Sequence, residues 1–173
     1  LITVWGGPEA RPSQTHAYGM LQAQPFVELI LRWTHQVAQL DVAAHTDALT
    51  GAPNRKAFLD RLAVASVPGA LLYCDLDAFK PVNDAFGHAA GDAVLCQVVD
   101  RLRGAVRAED LVARIGGDEF VVLCPGATED DAIGLAGRIQ RAFSAPFHLG
   151  LRMASVGISI GIGLAPQRLT IDT

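Results

Sequence analysis

Two pairs of carboxylates stand where they could gather divalent cations. The first is Asp118-Glu119, reached directly from two glycines in Arg114-Ile115-Gly116-Gly117-Asp118-Glu119-Phe120. The second is Asp75 and Asp77, at the end of the apolar run Leu71-Leu72-Tyr73-Cys74. Adjacent carboxylates repel, so each pair is costly unless a cation neutralises it, and an oxygen-only donor set points to Mg²⁺ (or Mn²⁺) rather than zinc. Enzymes of nucleotidyl transfer bring a strand-end aspartate beside further acids to hold two metals about 4 Å apart. Taken alone, the Gly-Gly-Asp-Glu segment also reads as a solvated acidic turn.

The flanking residues say how these acids are positioned. Leu111, Val112 and Ile115 on one side and Phe120 to Leu123 on the other are strand formers, and the paired glycines are expected to supply the positive φ of a tight hairpin. Asp118 and Glu119 then sit at its tip. The run from Leu71 reads as a buried central strand that delivers Asp75 at its carboxyl end, with Asp75 and Asp77 on one face and Leu76 on the other. The remaining pattern predicts a strand at 70–75, a helix at 88–104, strands at 111–115 and 119–124, a helix at 128–143 and a strand at 152–163. That alternation suits an α+β fold, an antiparallel-rich sheet covered by helices on one face.

Upstream, Phe26, Ile30, Trp33, Val37, Leu40 and Ala44 are spaced by four and three residues, a heptad seam on a helix opened by Pro25. It reads as a dimerising stalk over 25–45, or else as an amphipathic helix packed on its own domain. Thr46 to Gly51 breaks that helix and leads into a short helix ending near Leu62. Residues 1–24 carry no clear period, and a GAF-like remnant of an upstream sensory domain is the reading there.

With 173 residues the chain has room for one domain of about 100–150 residues and an attachment. Its net charge of −4 offers no basic footprint for nucleic acid, although a metal-bound nucleotide is compatible with it. Cys74, Cys96 and Cys124 lie in apolar segments without CxxC spacing and read as core thiols of a reducing, cytoplasmic compartment. No apolar run is long enough to span a bilayer, while a longer parent protein could be membrane-anchored.

The chain resembles the GGDEF domain of the diguanylate cyclase family. The signature stands at Gly116 to Phe120, and the other motifs follow in order at family spacing across about residues 45 to 163: Asp47-Ala48-Leu49-Thr50-Gly51 with Asn54-Arg55, Asp75-Leu76-Asp77-Ala78-Phe79-Lys80, Asn83-Asp84, Gly87-His88 and Gly91-Asp92. The resemblance implies a palm-like, ferredoxin-related core and condensation of two GTP into cyclic di-GMP by a homodimer. The family's closing helix, with Ala-Lys and Gly-Arg-Asn, is not found before Thr173, so residues 46–173 are expected to form a GGDEF domain lacking its final helix and strand.

The resemblance also implies roles. Asp75, Glu119 and the Leu76 carbonyl would ligate metal, with Asp118 as general base and further ligand. Asp92 would accept from the guanine N1-H and N2-H₂, with Asn83 as second reader and His88 nearby. Asn83 and Asp92 could instead cap the helix that begins near His88. The turn carrying Phe79 and Lys80 would cradle the terminal phosphates, Lys80 adding charge. Gly116 and Gly117 would leave room for ribose and α-phosphate. Arg107 and Asp110, an Arg-x-x-Asp upstream of the hairpin, match the family's inhibitory product site; an ordinary solvated loop is the alternative.

Overall fold

The computed structural model describes Glu28, Leu31, Arg32, residues 42–64 and residues 69–165. The chain divides into two units, Leu1–Val42 and Ala43–Thr173, and every element labelled below belongs to the second. Residues 1–24 and most of the expected stalk helix lie outside the described residues, as do residues 166–173. Within the 25–45 stretch, Glu28, Leu31, Arg32 and residues 42–45 are helical.

The elements run α1 (Arg55–Ala63), β1 (Gly69–Asp77), α2 (Phe79–Phe86), α3 (His88–Ala105), β2 (Leu111–Arg114), β3 (Glu119–Pro125), α4 (Glu129–Phe143), β4 (Phe147–Leu149), β5 (Arg152–Ala154) and β6 (Gly157–Ala165). Four strands form one antiparallel sheet in the order β2-β3-β1-β6, so the strand that carries Asp75 is central. Alternation along β1 buries Leu72, Cys74 and Leu76 and leaves Tyr73, Asp75 and Asp77 exposed. The aspartates share a face, as their spacing predicts.

The buried face holds the main core. Leu72, Cys74 and Leu76 join Phe120 and Val122 of β3 against Val94, Val98 and Leu102 of α3 and Leu135 and Ile139 of α4. Each such side chain contributes about 1.5–3 kcal/mol on burial, which is what holds helices that would be marginal alone. Thr128 starts α4 with a capping box, its hydroxyl accepting from the Asp131 amide while the Asp131 carboxylate accepts from the Thr128 amide.

Three features depart from the pattern read in the sequence. The opposite face is not bare: α1 lays Phe58 and Leu62 on Ala113, Val121 and Leu123, so helices lie on both faces of the β2-β3 half. A helix, α2, occupies 79–86, where the residues suggest only a turn. Ala78 takes a left-handed conformation (φ 58, ψ 28) that reverses the chain out of β1, and Pro81 falls in the first turn, where its missing N-H costs nothing. The long strand expected over 152–163 is two strands, because Gly150 (φ 67) closes a β4-β5 hairpin and the chain breaks at Ser155-Val156 before β6. Gln97 of α3 holds that hairpin, donating to the His148 carbonyl (2.8 Å) and accepting from the His148 amide (3.0 Å).

Candidate active site

Register places the acids. On β1 and β3, Asp75 is the direct partner of Glu119, and the next pair is bridged by the Leu76 amide donating to the Asp118 carbonyl at 3.3 Å. The Asp75-Glu119 pair therefore stands between hydrogen-bonded pairs, where opposed Cα atoms are about 4.5 Å apart and side chains are closest. Like charges so placed destabilise one another. The Asp75 carboxyl is accordingly held above its ordinary range, first by partial desolvation and then by Asp118, Glu119 and Asp77. Asp77 is engaged elsewhere: it accepts from the Ser159 hydroxyl at 2.7 Å.

The hairpin tip differs from expectation in its backbone. Neither Gly116 nor Gly117 has positive φ; Gly51, Gly87, Gly126 and Gly150 do. The turn closes instead through the Glu119 amide on the Gly116 carbonyl (3.4 Å) and the Ile115 amide on the Glu119 carbonyl (3.0 Å). A four-residue turn of this kind runs through ordinary right-handed conformations. At 116 a Cβ would lie 2.7 Å from Glu119 Oε2 and would have to displace that carboxylate, whereas a Cβ on Gly117 meets nothing within 4 Å. Gly117 is the open position, with room outside the fold itself.

Two residues around the acids escape a reading of the sequence. Tyr73 donates its hydroxyl to Glu119 Oε1 at 2.5 Å. Period-two alternation from Asp75 puts it on the face of the acids, and the register of β1 on β3 brings it to Glu119. Arg114 donates to the Gly117 carbonyl through Nε (3.1 Å) and Nη2 (2.8 Å) and pairs with Asp47 through Nη1 (2.9 Å), tying the hairpin to the 47–52 turn. No local signal joins residues 67 positions apart. Burial would push the Asp47 carboxyl up, but the Thr50 hydroxyl and amide and the Arg114 guanidinium hold it below the ordinary range.

The expected nucleotide readers fall at the junction of α2 and α3. Asn83 lies over Gly91, where a Cβ would overlap its amide, and Phe79 touches the same spot. His88 and Asp92 are exposed at positions i and i+4 of α3, on one side of that helix. Neither Asn83 nor Asp92 caps α3, whose N-cap is Gly87 without a side-chain bond, so the capping alternative falls. Phe79 is only 9 % exposed and belongs to the core, which leaves its backbone as the part able to meet a ligand. Lys80 is exposed in the first turn of α2, whose N-cap, Ala78, offers no side-chain acceptor to the helix's leading amides.

Arg107 and Asp110 line a separate cavity with Asp131 and Arg138 of α4 and the buried Cys124. Asp110 accepts from the Arg107 amide (2.9 Å), and the Arg107 guanidinium pairs with Asp131 (3.1 Å). Burial, with Asp110 beside it, pushes the Cys124 thiol up to about 12, and burial alone does the same at Cys74, so both are inert core thiols.

The sequence profile described as "Diguanylate cyclase, GGDEF domain" matches residues 44–172. The chain belongs to the GGDEF family. It is 44 % identical over 139 residues to diguanylate cyclase TpbB of Pseudomonas aeruginosa, covering 75 % of this chain and 32 % of TpbB. It is 37 % identical over 134 residues to the cyclic di-GMP phosphodiesterase PdeR of Escherichia coli, covering 75 % of this chain and 20 % of PdeR. The solved GGDEF domain of TpbB superimposes with a TM-score of 0.67 over 70 % of this chain and 76 % of that one. The coiled coil and GGDEF domain of DgcB from Caulobacter crescentus share the fold at a TM-score of 0.78 and 24 % identity, over 85 % and 83 % of the two chains. Because the chain spans a third or less of these curated relatives, only the domain is compared.

The donors present suit the metal such a domain would use. Among the described residues no three His, Cys, Asp or Glu side chains form a cluster able to enclose a cation. Asp75 and Glu119 face one another as a carboxylate pair. Mg²⁺ is commonly held by one or two carboxylates with substrate phosphates completing its shell, so a two-acid site open to substrate fits it. No helix among the described residues is long and apolar enough to cross a membrane.

Proposed function

We propose that this GGDEF domain is a diguanylate cyclase that condenses two GTP into cyclic di-GMP and two pyrophosphates. The observation that carries the reading is the direct pairing of Asp75 with Glu119 beside Asp118, with Asp75 exposed and the other two acids half-buried. Asp75, Glu119 and the Leu76 carbonyl would hold Mg²⁺ or Mn²⁺, with Asp118 able to join them. Bound there, the ion would lower the pKa of the attacking 3′-hydroxyl and neutralise charge on the α-phosphate. Asp118 accepts the hydroxyl proton. Lys80 and the leading amides of α2 clamp the terminal phosphates. Asp92 and Asn83 read the guanine edge, a donor pattern adenine lacks, with His88 alongside.

One domain binds one GTP, while the product joins two nucleotides. Two sites must therefore meet across a two-fold axis, and turnover per protein molecule should rise with protein concentration until the dimer saturates. Cyclic di-GMP then inhibits by binding at Arg107 and Asp110. The lining shared with Arg138 supports that role, because a second arginine suits a ligand that carries two phosphodiester groups.

A second reading, a silent module that binds GTP or cyclic di-GMP, is favoured by the likeness to PdeR, a protein named as a cyclic di-GMP phosphodiesterase. Chromatography of products from GTP with Mg²⁺, beside a matched ATP run and an Asp118→Ala control, separates the two. Cyclic di-GMP from GTP alone, lost in the variant, is the expected outcome. Tight GTP binding with no product establishes the silent module.

A further inference from the structure

We infer that Tyr73 is a positioning residue for the metal ligand Glu119, fixing the carboxylate in the orientation that presents it to a divalent cation. The inference deepens the proposed function and rests on it for the role of Glu119.

The geometry is specific. Tyr73 lies two residues before Asp75 on the same face of β1, and its register partner on β3 is Val121, which makes Glu119 its diagonal neighbour. Diagonal Cα atoms are about 7–8 Å apart, a gap that an aromatic side chain spans and a short one does not. The phenol crosses it and donates to Oε1 at 2.5 Å. On the carboxylate's other side, Oε2 sits so close to the Gly116 backbone that a Cβ there would be 2.7 Å away. The hydroxyl thus fixes one oxygen, and the bare glycine leaves room for the other.

Packing against its β3 partner Val121 does not by itself aim the hydroxyl. Tyr73 is 41 % exposed, and its partner on β6 is Gly161, which presents no side chain to it. A carboxylate has about four lone-pair sites, and one donor leaves the others for a cation. Outer partners of this kind set the orientation and basicity of the ligand they touch.

Tyr73→Phe removes the hydroxyl and nothing else. Binding of Mn²⁺ in the presence of a non-hydrolysable GTP analogue, read by electron paramagnetic resonance, should weaken by about 10-fold, the lower end of outer-partner effects. The Mg²⁺ concentration for half-maximal pyrophosphate release should rise in parallel, while kcat at saturating Mg²⁺ and the melting temperature stay near wild type. In a Glu119→Gln background, Tyr73→Phe should have no further effect on Mn²⁺ affinity. If Glu119→Gln weakens Mn²⁺ binding and Tyr73→Phe leaves it unchanged, the positioning role is overturned and the metal site stands. If Glu119→Gln binds Mn²⁺ like wild type, the ligand role of Glu119 falls and takes the inference with it.

Discussion

Asp75 and Glu119, 44 residues apart in the chain, are direct cross-strand partners on the two central strands of the sheet. Two carboxylates face each other at the position of closest side-chain approach. The Asp75 carboxyl is raised, first by partial desolvation and then by Asp118, Glu119 and Asp77.

Removing that repulsion should stabilise the metal-free protein. A carboxyl whose folded pKa is raised contributes stability that is fully present below the unfolded value, near 3.9, and is lost as pH rises through the folded value. At neutral pH in EDTA, Asp75→Asn should therefore melt higher than wild type, and the gap should close on acidification. Turnover should disappear in the same variant. Differential scanning fluorimetry from pH 3 to 8 reads the first effect.

The Asp47-Arg114 pair predicts the opposite pH trend. Its carboxyl is depressed, so its stability is present above the unfolded value and lost as pH falls through the folded one. Asp47→Asn should cost about 1–2 kcal/mol at pH 7, and the deficit should vanish under acid conditions. Because Arg114 also grips the Gly117 carbonyl, the variant should slow turnover by loosening the hairpin. Urea melts at pH 7 and pH 3 check the stability term.

The two hairpin glycines should separate. A methyl at 116 collides with Glu119, so Gly116→Ala should weaken metal-dependent activity with or without any demand from the nucleotide. A methyl at 117 meets nothing, and Gly117→Ala should fold and melt like wild type. Loss of turnover in Gly117→Ala would place substrate over that carbon. Steady-state kinetics beside melting curves decide it.

Arg101 should matter for stability and not for chemistry. Its guanidinium lies 3.6 Å from the Phe147 ring centre and donates to the Ala142, Ala145 and Pro146 carbonyls, joining α3 to the end of α4 and to β4. Arg101→Ala should cost about 1–3 kcal/mol while leaving KM for GTP unchanged. Chemical denaturation with a parallel kinetic assay tests both halves.

Product control should reside in Arg107. Arg107→Ala should relieve inhibition by cyclic di-GMP and leave the uninhibited rate intact. Titration calorimetry with cyclic di-GMP reads the lost site directly, and unchanged affinity would remove the assignment.

Much of this was legible because strand alternation is local. The parity of Leu72, Cys74 and Leu76 against Asp75 and Asp77 fixes a face, and motif spacing fixes the order of the acids. What escaped depends on register or on backbone. Tyr73 could be tied to Glu119 only once β1 and β3 were aligned. Arg114 and Asp47 meet through a turn whose closure carries no periodic signal. Two glycines suggest positive φ, yet at 116 the demand is for space beside Glu119, and spacing cannot distinguish the two reasons. The α2 helix is eight residues long with an internal proline, too short for periodicity to outweigh the turn signals at its ends.

The central claim is that Asp75 and Glu119 act together on a divalent cation to drive nucleotidyl transfer from GTP. Pyrophosphate release from GTP as a function of Mg²⁺ concentration, in wild type, Asp75→Asn and Glu119→Gln, tests it most directly. Wild type should show saturable, Mg²⁺-dependent release with two pyrophosphates for each cyclic di-GMP, and both variants should lose it. Release by Glu119→Gln at the wild-type rate and with the wild-type Mg²⁺ dependence would contradict it.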